Sequence, residues 1–219
     1  MGVSFGSGGG ALSHGIAAAA APIAVHAHQA PPAAAASKPV PKEELLKPPA
    51  DAVHYVVVSD SGKHGDMWRW TLADGRIAYR HSQSLRGWIS EVDQLVTVGP
   101  DGFPAKIVVR GLTPEGDAAE TFELAGNRAS WTSTADSGSA EGRTGYYLPA
   151  GGVPLSNELL VERLVAAGDK GVELLPSGRA TLTLGPSLAI EGPAGRKTVK
   201  LASIRGILAT PVQVWLDEQ

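Results

Sequence analysis

Met67-Trp68-Arg69-Trp70-Thr71-Leu72-Ala73-Asp74-Gly75-Arg76-Ile77-Ala78-Tyr79-Arg80-His81-Ser82-Gln83 decides the fold class. Trp68, Trp70 and Leu72 alternate with Arg69 and Thr71. That period of two puts one row of side chains on each face of a strand. Asp74-Gly75 then supplies a type I′ turn, whose central residues need positive φ. Residues 76–83 return as a second strand. The stretch is a β-hairpin, and the chain on both sides repeats its pattern.

Upstream, residues 53–60 read as a first strand, closed by a turn over Ser61-Gly62-Lys63-His64-Gly65-Asp66. Downstream, 87–98 turns at Gly99-Pro100-Asp101-Gly102, and 103–112 turns at Pro114-Glu115-Gly116-Asp117. In 118–124, Phe122 and Leu124 point inward and Glu123 outward. Gly126-Asn127 turns into 128–134, which carries Trp131. Regular turn signals between short strands describe an antiparallel meander. Residues 135–144 read as a small polar loop, followed by Tyr146-Tyr147-Leu148-Pro149 and a break at Ala150-Gly151-Gly152.

Residues 157–167 form the one convincing helix. Ser156 or Asn157 caps it, Leu160, Leu164 and Ala167 form an apolar stripe, and Gly168 takes the C′ position. Strands follow over 172–175, 180–184, 188–191, 197–204 and 211–217. In the last, Val212, Val214 and Leu216 alternate with Gln213, Trp215 and Asp217, and Pro211 stands where no ladder donor is needed. Asp217-Glu218-Gln219 opens a turn, through which a sheet normally continues into a partner strand. The expected fold is mainly β: a curved antiparallel meander sheet, half-barrel or barrel-like, hiding its inner face with one packed α-helix. A complete barrel and a two-sheet sandwich are the alternatives.

The 219 residues divide by composition into three segments. Residues 1–30 are Ala/Gly-rich and read as a signal peptide or a disordered tail. Val25-His26-Ala27 and Ala30 offer small residues for cleavage, although no Lys or Arg occurs before Lys38. Residues 31–52 are a Pro/Ala-rich linker, stiffened by polyproline geometry, with at most one helical turn over 43–47. Residues 53–219 are the β domain. A signal peptide implies a periplasmic or secreted location.

A net charge of −3, with no Lys/Arg cluster larger than a pair, gives no footprint for nucleic acid. No run of about 18 apolar residues occurs, so no transmembrane segment is expected. The absence of cysteine removes disulfides and thiolate chemistry.

Motifs in the tail lack the context that chemistry needs. Gly2-Val3-Ser4-Phe5-Gly6 matches a nucleophile elbow without its strand and helix. Gly6-Ser7-Gly8-Gly9-Gly10-Ala11 is a glycine loop with no strand before it. His26-Ala27-His28 lacks further metal ligands. In the body, His54, His64 and His81 have no metal-ligand spacing. Glu91 and Asp93 share one strand face and fit either acid/base work or a solvated edge. Trp68 and Trp70 fit a ligand cleft or, more simply, core packing. No catalytic, cofactor-binding or metal residue is assigned to this chain.

The order of segments in 53–217 resembles the N-terminal β domain of exported imidazolonepropionase-like amidohydrolases. His54-Tyr55-Val56-Val57-Val58-Ser59 with Gly62-Lys63-His64-Gly65-Asp66 is similar to their opening strand and turn. Val98-Gly99-Pro100-Asp101-Gly102-Phe103-Pro104 looks like a hairpin of that family. Glu120-Thr121-Phe122-Glu123-Leu124-Ala125-Gly126-Asn127-Arg128-Ala129-Ser130-Trp131 resembles a strand pair. Leu174-Leu175-Pro176-Ser177-Gly178-Arg179-Ala180 and Pro211-Val212-Gln213-Val214-Trp215-Leu216-Asp217 follow in the family's order. Leu85-Arg86-Gly87-Trp88 departs from the family's Asn-Arg-Gly-Pro turn.

The resemblance implies a larger protein, in which a (β/α)₈ barrel hydrolyses amide or cyclic amide C–N bonds. There a divalent metal such as zinc activates water. Its ligands belong to that barrel, and none is carried over to this chain. The leading expectation is a non-catalytic N-terminal domain whose partner is a catalytic amidohydrolase domain or subunit. A homo-oligomer is a further possibility. The alternative is a stand-alone periplasmic β module binding an apolar ligand or a protein partner, and a hydrolase hidden within 53–219 is third. A stand-alone domain buries residues 211–217 between neighbouring strands. A domain awaiting its partner leaves them at an edge.

Overall fold

The computed structural model describes residues 38–141, 145–192 and 195–217. The proposed signal segment, residues 31–37 of the Pro/Ala-rich stretch, and the tail motifs Gly2–Gly6, Gly6–Ala11 and His26–His28 lie outside them.

Nine strands form the first sheet: β1 (Val53–Ser59), β2 (Gly62–Thr71), β3 (Ile77–Leu85), β4 (Trp88–Val98), β5 (Pro104–Thr113), β6 (Gly116–Asp117), β7 (Glu120–Ala125), β8 (Arg128–Ser133) and β9 (Ser137–Glu141). They pair in the order β1-β2-β3-β4-β5-β7-β8-β9, all antiparallel, with β6 beside β5. This is the meander that the turn spacing implies, and it curls as a half-barrel. Three details differ from the sequence reading. The turn at Asp74-Gly75 has positive φ at Gly75 and not at Asp74, so it is not type I′. The chain reverses at Asp60-Ser61, so residues 62–66 belong to β2 and not to a long turn. Within the expected polar loop, Ser137–Glu141 pairs with β8, because the ladder accepts small alternating residues against Trp131. A Cβ on Gly138 would stand 2.5 Å from the Trp131 ring, so only glycine lets this strand approach.

The second sheet contains β10 (Tyr146–Tyr147), β11 (Val172–Leu175), β12 (Arg179–Gly192), β13 (Gly195–Arg205) and β14 (Val212–Asp217), in that order. The meander is therefore not one continuous sheet. β10 pairs parallel to β11, and every other neighbour is antiparallel. The two strands expected over 180–191 are one, β12, with a register shift between Leu184 and Ser187. Such a shift keeps a strand paired across an irregularity.

Helix α1 (Glu158–Ala167) follows a 3₁₀ turn over Pro154–Asn157. The apolar stripe behaves as read: Leu160 and Leu164 are fully buried, and Gly168 ends the helix at φ 55°. The cap does not. Neither Ser156 nor Asn157 makes a side-chain cap hydrogen bond. The Ser156 hydroxyl is already held 2.8 Å from the Val153 carbonyl and 3.3 Å from Gln94 Oε1.

One core joins the elements. The inner row of the first sheet contributes Tyr79, Val92, Val96, Ile107, Val109, Phe122 and Trp131. Leu159, Leu160 and Leu164 of α1, and Val172, Leu174, Ala180 and Ile204 of the second sheet, complete it. Each large aliphatic side chain so buried contributes about 1.5–3 kcal/mol. Tyr146 and Tyr147 stitch the sheets together. The Tyr147 ring stacks on Phe122 with centroids 4.6 Å apart, and its hydroxyl donates to Glu120 at 2.6 Å.

Residues 38–50 are no free spacer. A 3₁₀ turn over Lys42–Glu44 lays Leu45 onto the outer face of the first sheet, where it is 3% exposed. Leu46 N–H donates to Asp93 at 2.7 Å, and Lys42 pairs with Glu91.

Candidate functional site

The carboxylate pair is structural. Glu91 and Asp93 share the outer face of β4, as the two-residue spacing dictates. Arg80 from β3 and Ser82 bind Glu91, and Arg110 from β5 grips Asp93 through Nε at 3.0 Å and Nη2 at 2.5 Å. With Lys42 and the Leu46 amide, these bonds consume the acceptors that acid/base chemistry would use. Burial works against the Glu91 charge, but its bonds to Lys42, Arg80 and Ser82 outweigh that and hold its carboxyl below the usual range.

The three body histidines are separate. His54 stacks on Trp68, with centroids 5.2 Å apart, and bonds Asp66 Oδ1 at 2.6 Å. The Lys63 bond, ahead of His54, lowers the Asp66 pKa. His81 is buried on the inner face beside Gln83, and desolvation pulls its imidazole below the ordinary value. At the β1–β2 turn, His64 Nε2 lies 2.6 Å from Ser59 Oγ and 3.2 Å from Ser61 Oγ. That contact resembles a nucleophile and its base, but the group is exposed and no described acid orients the ring. Among the described residues, no cluster of three His, Asp or Glu side chains is placed to hold a metal. Of the aromatic row, Trp70 is buried, as packing requires, whereas Trp68 is half-buried and lines a concavity with Leu45 and Leu46.

The feature that stands out is a groove of about 900 Å³ bounded by α1, β14 and β1. β1 and β14 are the end strands of their sheets. The outer side of an end strand presents unpaired backbone N–H and C=O groups. Val212, Val214 and Leu216 are half-buried on the inward row of β14, whereas Trp215 is 53% exposed. Tyr55 enters from β1, and Val161 and Val165 from the helix. β1 exposes Val53, Tyr55, Val56 and Val58 and carries no Lys, Arg, Asp or Glu, although its register shifts between Val57 and Val58.

Charge is fixed along the helix side. Glu158 accepts from Arg69 Nε at 2.5 Å and from the Tyr79 hydroxyl at 2.8 Å. Burial, followed by the nearby Glu158 carboxylate, drives the Tyr79 phenol well above its ordinary pKa, so it stays a donor. Arg163 reaches across to the Asp101 carbonyl at 3.0 Å, over Gly102. These bonds hold α1 rigidly and leave Glu162 exposed on the groove side. The groove is built from residues more than a hundred positions apart, so no local motif announces it. Its one legible sign is the alternation of 212–216.

The chain matches no family model, no curated protein and no solved structure.

Proposed function

We propose that residues 53–217 are the non-catalytic β domain of an exported, metal-dependent amidohydrolase, docking a catalytic domain or subunit along β14 and α1. The barrel would hydrolyse the amide or cyclic amide bond, and this domain would support its folding or substrate access. The observation that carries the reading is the position of Val212–Asp217 at a sheet edge, with Trp215 exposed and an apolar groove alongside. An end strand with apolar side chains accepts a further strand or a packed loop readily. The ordered segments between His54 and Asp217 supply the choice of partner.

The test begins with the DNA that follows codon 219 and its neighbouring genes. An in-frame or adjacent barrel with an H-x-H after its first strand is the expected finding. Its product should bind this chain, and Trp215→Lys should weaken that complex at least about tenfold, a typical loss at a buried aromatic anchor. No such barrel, or a barrel that binds Trp215→Lys as well as the parent chain, would overturn the proposal.

A further inference from the structure

A second concavity, of about 400 Å³, lies on the inner side of the β3–β4 hairpin. It is remote in sequence from the helix and from β14. Leu85 and Trp88 are the last pair of the ladder, and Arg86-Gly87 makes the turn. Both turn residues have positive φ, 51° at Arg86 and 83° at Gly87. That is the conformation of a tight two-residue hairpin, for which Asn-Gly or Asp-Gly is favoured. Arg86 is the sole described non-glycine residue in this region of φ. An arginine there costs local stability that asparagine or glycine would not, and such outliers point towards function.

The lining has a consistent chemistry. Leu85, Trp88 and Pro114 supply apolar walls, and Trp88 leaves 62% of its surface in solvent. Arg86 is the one ionised side chain of the lining, and no carboxylate is present to neutralise it. Most described arginines are paired, as Arg69, Arg80, Arg110 and Arg179 are. Arg86 has no hydrogen bond or ion pair among the described residues. Gln83 spends its Oε1 on His81 Nε2 at 3.0 Å, which leaves its amide NH₂ without a described acceptor. The site therefore offers one positive charge, one spare amide donor and an exposed indole face.

We infer that this pocket binds a small organic monocarboxylate with a planar apolar body, its carboxylate on Arg86 and Gln83 and its plane against Trp88. A guanidinium fork takes a carboxylate in two parallel bonds, whereas one unassisted cation is a poor match for a multiply charged phosphate. The volume falls in the range of small-ligand sites, which combine apolar walls with a few placed polar groups. Burial keeps His81 neutral at pH 7, so it adds hydrogen bonding and no second charge. The inference stands whether or not a catalytic domain docks at β14.

The full 219-residue chain should be titrated with 1-naphthoate, and separately with uncharged 1-naphthamide, while NMR follows the Trp88 indole N–H and the Gln83 side-chain amide. Saturable shifts at both groups are expected for naphthoate, with naphthamide at least about tenfold weaker. Arg86→Asn suits the turn conformation and removes the charge, and it should weaken naphthoate by a similar factor while leaving the remaining spectrum in place. Trp88→Ala should abolish saturation. No saturating shift up to about 10 mM naphthoate, where even a millimolar ligand would be bound, would overturn the inference. So would undiminished binding in Arg86→Asn.

Discussion

Glu120 shows how one residue couples distant parts of the chain. It is 4% exposed, and it accepts the Tyr147 hydroxyl at 2.6 Å, Ala150 N–H at 3.2 Å and Gly151 N–H at 3.0 Å. Removing a buried acceptor strands its donors, which costs more than the net worth of each bond. Glu120→Ala should therefore lower unfolding stability by about 3 kcal/mol or more in urea titrations, and Glu120→Gln by roughly 1–2 kcal/mol, since one oxygen remains. Glu91 and His81 are the more buried of the groups that set the acid response, beside Asp66 and Asp74 at the surface. The Glu91 carboxyl is held below its unfolded value, so its contribution is present above about pH 4.5 and lost as pH falls through the folded value. His81 is also depressed, mainly by burial, so the unfolded chain takes up its proton first and stability declines as pH drops below about 6.5. Denaturant midpoints measured from pH 8 to 3 should fall in two steps, with Glu91→Gln shrinking the lower one and leaving the upper one unchanged. None of these partners was visible in the sequence. Glu120 follows the alternation of β7 and faces inward with Phe122 and Leu124, but its acceptor role depends on residues 27 to 31 positions away.

At the scale of elements, the strap over 41–48 differs most from its composition. Repeated prolines describe a stiff spacer, yet Leu45 is 3% exposed and Leu46 N–H is bound to Asp93. The prolines limit the conformational entropy lost when the segment lies flat, and Leu45 gives it an apolar anchor. Leu45→Ala should cost about 2–3 kcal/mol. In the same variant, amide hydrogen exchange at Leu46 should accelerate at least about tenfold more than exchange in β7, because the strap then opens locally. An unchanged Leu46 rate would show that its bond to Asp93 holds without the anchor. Helix α1 was legible because its stripe is local. Its expected cap was not realised, since the Ser156 hydroxyl bonds Gln94 from β4 and the Val153 carbonyl.

At the scale of the whole described chain, Tyr147, Phe122 and the α1 leucines place both sheets in one core. In a Trp215→Phe background, tryptophan fluorescence reports only the first sheet, through Trp68, Trp70, Trp88 and Trp131, and should lose its native signal at the same urea concentration as far-ultraviolet circular dichroism. Leu164→Ala should shift both midpoints together, at a cost of about 2–5 kcal/mol. Separate transitions would mean that the sheets fold independently. The sequence alone determined the class: mainly β, an antiparallel meander with one helix, and most strand positions. Alternation of apolar side chains and glycine at positive-φ turns act over two to four residues, so they can be read in order. Only the tertiary structure decided that the meander divides into two sheets, that Val212–Asp217 lies at an edge, and that Arg86, Gln83 and Trp88 enclose a pocket. Those outcomes depend on which distant surfaces meet when the core closes, and that competition between burial and chain entropy is set by the whole chain and not by any short stretch.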